Sequence, residues 1–222
     1  MLTLQDIRYT YQTKNQVVEA LRGVSVNFET GQFYAIVGPS GSGKTTLLSL
    51  LAGLDVPKTG EICWMGKSIK SMDLDRFRYD HVAVIYQNYN LFSHLTALEN
   101  TAYPLYLQGV PKKEAEARAI ERLKQVEITE EKYRRLPSHL SGGEQQRVAV
   151  ARAFVTEKEL VLADEPTGSL DSENSLRIVE LLSNLAHKEN RCVIVVTHDN
   201  KIAERADQIL HMEDGRFEKT GG

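Results

Sequence analysis

The chain has 222 residues and a mass of 25.0 kDa, enough for one α/β domain, or a domain with a small attached subdomain, that buries about 70% of its unfolded surface. A net charge of -3 and a pI near 6.1 give no reason to expect nucleic acid or an anionic membrane surface as the principal partner. The opening MLTLQDIRYT has neither a basic start nor a useful apolar stretch, and runs such as Cys192 to Val196 fall far short of the ~20 residues that span a bilayer, so a cytoplasmic chain without a signal peptide is expected.

From the start of the chain, LTLQDI and VSVNF alternate apolar and polar residues, the pattern of half-buried antiparallel strands, with a turn at Glu29 to Gln32. This predicts a small β subdomain. Phe33 to Val37 (FYAIV) reads as a buried strand and Thr45 to Leu54 as a helix, with Gly38, Pro39, Ser40, Gly41, Ser42, Gly43, Lys44 and Thr45 (GPSGSGKT) between them. That is the context of a phosphate-binding loop. Its glycines let the backbone N–H groups curl inward, and the following helix adds the positive end of its dipole. Lys44 then reaches the β- and γ-phosphates, and the Thr45 hydroxyl is placed to ligate Mg²⁺.

Further on, VAVIY (82–86), LVLA (160–163) and VIVVT (193–197) are apolar throughout, as parallel strands buried on both faces are. They end on Gln87, on Asp164 with Glu165, and on His198. Open α/β sheets bind ligands at the carboxyl ends of their strands, so these endings and the phosphate loop should converge on one site. Two adjacent acids after a buried strand are costly without a cation, which favours a magnesium partner. Between Gln87 and the second glycine motif the chain reads as helical. Lys112 to Val126 is amphipathic, and Leu136 to His139 breaks the pattern. Gly142 and Gly143 then precede a helix from Glu144 to Val155, with Ser141 and the amides after it forming another anion-binding helix start. Cys63 and Cys192 read as small buried residues, not a disulfide or metal site, and Gly221 and Gly222 as a loose terminus.

With the phosphate loop, the Gln87 loop, LSGGEQQR (140–147), LVLADEP (160–166), the Ser169-Leu170-Asp171 turn and the Thr197-His198-Asp199 switch in this order and spacing, the chain resembles the ATP-binding cassette (ABC) ATPases over essentially its whole length. LTALENTAYPLYLQG, DEPTGSLDSENS and THDNKIAERADQILHMEDGR resemble the subgroup serving lipoprotein release, macrolide and antimicrobial-peptide export, and cell division. The resemblance implies an α/β phosphate-loop NTPase core with a mostly parallel sheet, an N-terminal antiparallel β subdomain and a helical insert that carries the second glycine motif. It makes 1–222 a single domain, with 1–87 and 158–222 as core and 88–157 mainly helical. It places Tyr11 on adenine, with Tyr9 open as the alternative, and lets Thr46 and Lys44 serve the phosphates. Gln87, Thr45 and Asp164 hold Mg²⁺, Glu165 polarises the attacking water, and His198 senses the γ-phosphate. Ser141, Gly142, Gly143 and Glu144 act on the nucleotide of an opposing copy, and Asp171 is a nucleotide-binding residue.

The same resemblance implies an ATP-dependent homodimer with ATP and Mg²⁺, peripheral on the inner face of the membrane and driving a separate integral-membrane permease. Phe92 and Leu95 would line a cleft for a permease helix. The alternative is an ATPase that regulates a membrane protein in cell-wall remodelling or drug sensing without transport. A chromosome or DNA-repair ATPase would need a long coiled coil between the two glycine motifs, for which this interval is too short.

Overall fold

A computed structural model describes residues 1–12, 17–168 and 170–218, with the backbone alone for Asn200 and Lys201. The expectations for Ser169, Gly221 and Gly222 lie outside the described residues. The chain opens with β1 (Leu2–Gln12), β2 (Val17–Phe28) and β3 (Phe33–Val37), followed by α1 (Lys44–Leu51), β4 (Thr59–Trp64) and β5 (Lys67–Ser68). Then come α2 (Leu74–His81), β6 (Val82–Ile85), α3 (Ala97–Leu107), α4 (Lys112–Gln125) and α5 (Gly142–Phe154). The last third alternates, with β7 (Leu160–Asp164), α6 (Ser172–His187), β8 (Cys192–Val196), α7 (Asn200–Ala203), β9 (Gln208–Glu213) and β10 (Arg216–Phe217).

The strands form two sheets. One is antiparallel in the order β2-β1-β4-β5, and the other runs β10-β9-β3-β8-β7-β6 with only β10 antiparallel to its neighbour. In the second sheet Leu160, Leu162, Ile194 and Val196 pack with α1 and the antiparallel sheet, while Val161, Ala163, Val193 and Val195 pack with α5 and α6. Both faces are therefore dry, which is why these strands carry no polar alternation. A smaller cluster of Ala102, Leu105, Ala115, Ala119 and Val155 joins α3 and α4 to the end of α5.

The helix boundaries move in informative ways. The helix expected from Thr45 to Leu54 stops at Leu51, with Ala52 as its cap. The one expected from Glu144 begins at Gly142, because Ser141 is its N-cap and the two glycines are its first-turn residues. Ser141 accepts from the Glu144 N–H while the Glu144 carboxylate accepts from the Ser141 N–H, a reciprocal pair that fixes the start. Cys192 is buried, but Cys63 is only partly so; neither forms a disulfide.

In the antiparallel sheet β1 bulges at Asp6, which has φ 44°, and the pairing with β4 shifts between Gln5 and Arg8. Gly60 of β4 lies against that bulge with φ +82°, and a Cβ there would sit 2.3 Å from the Asp6 carbonyl oxygen. Neither backbone can yield. Gly60→Ala is expected to cost about 2–4 kcal/mol of stability, read by thermal or denaturant unfolding. Gly66→Ala is the control: it has φ +79° and nothing within 4 Å, so it should cost only about 1–2 kcal/mol.

Beside the bulge, Tyr9 is buried and its hydroxyl donates to Asp55 Oδ2. That bond holds the Asp55 carboxyl below the usual range and pushes Tyr9 up to about 12. Because the folded Asp55 is the stronger acid, its contribution is present above the ordinary carboxylate pKa and is lost as pH falls through the folded value. The Tyr9 contribution holds below its ordinary pKa of about 10 and fades as pH rises toward about 12. Tyr9→Phe should therefore lose about 1–2 kcal/mol at neutral pH, and the gap from the parent chain should close as pH drops below about 4.

Candidate functional site

Strand register brings the site together. Ile36 of β3 pairs with Val196 of β8, Val196 pairs with Asp164 of β7, and Ala163 pairs with Ile85 of β6. The chain leaves these adjacent strands at nearly the same level, so Gly38, His198, Glu165 and Gln87 all follow within one or two residues of the paired ends. One cavity of about 580 Å³ forms there, lined by Tyr11, Ser40, Gly41, Gly43, Lys44, Thr45, Thr46, Gln87, Asp164, Glu165 and His198.

The loop before α1 is shaped for an anion. Asp73, Thr96, Ser141 and Asp171 cap α2, α3, α5 and α6 with their own side chains. The cap of α1 is Gly43, which brings no side chain, and no acid lies in the first turn. The amides at this helix start thus await a negative group from elsewhere. Lys44 Nζ donates to the carbonyls of Gly38 and Pro39 at 2.8 Å each and to Ser42 Oγ at 3.4 Å. Its charge is solvated by neutral oxygens within reach of the cavity. Ser42 is 3% exposed and belongs to the loop's interior, and its carbonyl accepts from the Gly215 N–H at 2.9 Å.

At the floor, Thr45 Oγ1 donates to Asp164 Oδ2 at 3.5 Å. Burial raises the Asp164 pKa, the Glu165 carboxylate beside it adds to the rise, and the Thr45 hydroxyl and Lys44 only partly oppose them. Glu165 sits at φ 49°, a left-handed turn at the strand end, and its N–H donates to the Val196 carbonyl at 2.9 Å. Its carboxylate is gripped from both sides, by Thr197 Oγ1 at 3.2 Å and by His198 Nδ1 at 2.7 Å. Fully buried Thr197 also accepts from the Asp199 N–H at 2.9 Å. Thr197 was missed as a site residue, since a threonine in an apolar run reads as a strand residue.

Tyr9 and Tyr11 separate clearly. Their rings meet edge to face at 5.0 Å, but Tyr9 is 6% exposed and bound to Asp55, whereas Tyr11 is 46% exposed and lines the cavity. The Tyr11 hydroxyl contacts Thr46 Oγ1 at 3.2 Å.

Other expected residues lie apart from this cavity. Ser141, Gly142, Gly143 and Glu144 form the start of α5, and none of them lines it. Within its own chain Glu144 closes the capping box and pairs with Lys132 Nζ at 2.7 Å. Burial works to raise its pKa, but hydrogen bonds from Lys132 and the Ser141 N–H outweigh that and leave it below the usual range. Asp171 caps α6 through the Asn174 N–H and Nδ2, which lower its pKa.

Phe92, expected to line a cleft with Leu95, is 40% exposed. Buried Asn100 folds its loop back by accepting from the Phe92 N–H at 2.8 Å and donating to the carbonyls of Phe92 and Leu95 at 3.1 and 2.8 Å. Phe92 then stacks on Tyr103 at 4.8 Å. A separate groove is lined in part by Tyr79, Pro104 and Leu107 together with Arg78, Arg152 and Lys158.

Known proteins share this sequence and shape. The family model described as "ABC transporter" matches residues 21–168. The uncharacterized ABC transporter ATP-binding protein YclH of Bacillus subtilis is 43% identical over 98% of this chain and 95% of its own length. The lipoprotein-releasing system ATP-binding protein LolD of Chromohalobacter salexigens is 42% identical over 98% of this chain and 92% of its own. The dimeric structure of the cassette MJ0796, a protein of Methanocaldococcus jannaschii, superimposes with a TM-score of 0.94 at 38% identity, covering 99% of this chain and 97% of that one. A second structure of MJ0796, in a post-hydrolysis state with ADP and Pi, superimposes equally well. The chain is an ATP-binding cassette and belongs to the ABC transporter family.

Proposed function

We propose that this cassette binds and hydrolyses ATP in the cavity at the strand ends, at a site completed by a second copy of the chain, and so drives a separate integral-membrane permease of the export or mechanotransmission type. The observation that carries the reading is that the Glu165–His198 pair, bonded at 2.7 Å, lines the same cavity as the uncapped start of α1. An acid able to take a proton and an anion cradle therefore share one space. Tyr11 offers the adenine a face, and the α1 amides with Lys44 hold the phosphates. In this reading Glu165 accepts the proton of the attacking water, while Thr197 and His198 keep its carboxylate aimed. The left-handed backbone at Glu165 is the sort of strain that persists at working residues.

The donors suit Mg²⁺. Among the described residues no three of His, Cys, Asp and Glu cluster as a protein-only metal cage. What is present is hard oxygen: the Thr45 hydroxyl against the Asp164 carboxylate, with the Gln87 amide on the same cavity. Mg²⁺ characteristically takes one or two such protein ligands and fills its shell with water and phosphate oxygens. Bound there, it would neutralise phosphate charge and offset the cost of the ionised Asp164.

The dimer follows from what this cavity lacks. Ser141, Gly142 and Gly143 begin α5 away from it, and MJ0796 is described as a dimeric cassette. In the proposal these residues cap the γ-phosphate held by the other copy, with Glu144 shaping the helix start from within. No described helix is long and apolar enough to cross a membrane, so the transport path would belong to the permease. LolD is named as part of a lipoprotein-releasing system, which supports such a division and a place on the cytoplasmic face of the membrane.

Glu165→Gln is expected to keep ATP binding, lose turnover by about 10²–10⁴-fold and accumulate as a dimer in MgATP, read by phosphate release and light scattering. A variant that stays monomeric at saturating MgATP would overturn the shared site. Asp164 supplies a second check. Its folded pKa is raised, so the folded chain holds that proton more tightly and stability falls as pH climbs out of the ordinary carboxylate range. Asp164→Asn should therefore melt higher than the parent at neutral pH without nucleotide, with the difference vanishing near pH ~4. The same change should erase the extra stabilisation that Mg²⁺ adds to ATP.

A further inference from the structure

Among the described helices α3 and α5 start with the same reciprocal cap, but only α5 adds a cation to it. At α3 the Thr96 hydroxyl accepts from the Glu99 N–H at 3.2 Å, and Glu99 Oε2 accepts from the Thr96 N–H at 2.9 Å. At α5 the Ser141 hydroxyl accepts from the Glu144 N–H at 3.3 Å, and Glu144 Oε2 accepts from the Ser141 N–H at 2.8 Å. Among the described residues Glu99 forms no ion pair, and Lys112, whose charge it senses, pairs with Glu116 at 3.7 Å. The cap therefore closes without a cation. Glu144 nevertheless has one, with Lys132 Nζ 2.7 Å from Oε1 and the two side chains only 22% and 15% exposed. This lysine comes from outside the helix, whereas the first-turn acids of α2, α4 and α6 pair within their own: Asp75 with Arg78, Glu114 with Arg118 and Glu173 with Arg177. Lys132 ends a short turn at Glu130–Lys132, and the backbone after it is tied to the start of α3, where the carbonyls of Tyr133 and Arg135 accept from the Leu98 and Ala97 N–H groups at 2.9 Å each.

The start of a helix carries roughly half a positive charge, and a carboxylate in its first turn brings a full negative one. That suits the helix but turns its end against phosphate. The lowered pKa of Glu144 keeps it ionised at neutral pH. We propose that Lys132 is a positioning residue for the shared nucleotide site: it holds the Glu144 carboxylate on the α5 cap and cancels its charge, so that Ser141, Gly142 and Gly143 present a net positive end to the γ-phosphate of the second copy. The inference rests on the reading of the chain as a cassette that pairs around ATP. Glutamine at 144 keeps the cap, because its amide oxygen accepts the same Ser141 N–H, and leaves the lysine charge unopposed. A lysine–glutamate pair that served stability alone would weaken the molecule when either partner is changed. A pair that serves the phosphate responds with opposite signs.

The test reads ATP-driven pairing of the full chain in the Glu165→Gln background, by light scattering in MgATP across protein concentrations. Lys132→Met should raise the concentration for half pairing about tenfold, Glu144→Gln should lower it by a similar factor, and the double variant should return to the parent value. If Lys132→Met folds poorly, Glu144→Gln carries the test alone, since tighter pairing is the result that a purely structural pair does not give. Unchanged or weaker pairing in Glu144→Gln, unchanged pairing in Lys132→Met, or a double variant as weak as Lys132→Met overturns the proposal. A parent that stays monomeric at saturating MgATP overturns the shared site and this inference with it, whereas a parent that pairs while the variants keep its value overturns only the role given to Lys132.

Discussion

The parallel register of β3, β8, β7 and β6 is the constraint from which the site follows. With Ile36, Val196 and Asp164 level across three strands, each chain must leave the sheet at the same height, and its next residues have nowhere to go but the shared rim. The register is itself enforced by burial on two faces. Shifting one strand by a single residue would exchange its two sets of side chains, such as Leu160 and Leu162 for Val161 and Ala163, between cores of different shape. Chemistry at the rim is therefore protected by packing beneath it.

Electrostatics at that rim is deliberately incomplete within one chain. Asp164 is ionisable in a place that resists its charge, Lys44 rests on carbonyl oxygens, and the first turn of α1 has no cap. Each of these is unfavourable alone, and the proposed metal-bound triphosphate would answer all of them at once. By contrast Glu165 is fully provided for, between a threonine and a histidine. In the proposed reading the groups that would meet the ligand are left wanting, while the group that would handle the proton is held still.

Much of this was legible in the sequence, for physical reasons that differ from part to part. Continuous apolar runs such as VIVV can only be strands wetted on neither face, so the sheet and its polar endings could be read directly. Alternation alone does not separate Tyr11 from its alternative Tyr9, because both have the same parity along β1 and only a register shift between Tyr9 and Thr10 separates a buried ring from an exposed one. Position along the chain also hid Asn100, whose side chain bonds to residues five and eight places earlier and so folds back the loop that carries Phe92. Arg152 looked like one more polar residue in an amphipathic helix, since its partners, the carbonyls of Tyr89 and Asn90, lie more than sixty residues away. The resemblance alone places Glu144 at a nucleotide, whereas its spacing from Ser141 is by itself that of a capping box.

One consequence concerns α5 as a mechanical part. Its 13 residues span about 20 Å, with Ser141 capping one end and Arg152 near the other. A straight, internally bonded rod of that length transmits displacement with little loss. In the proposed dimer a displacement at the arginine end would be felt at the serine end, so the loop after β6 and the grip on a neighbour's triphosphate would be two ends of the same lever.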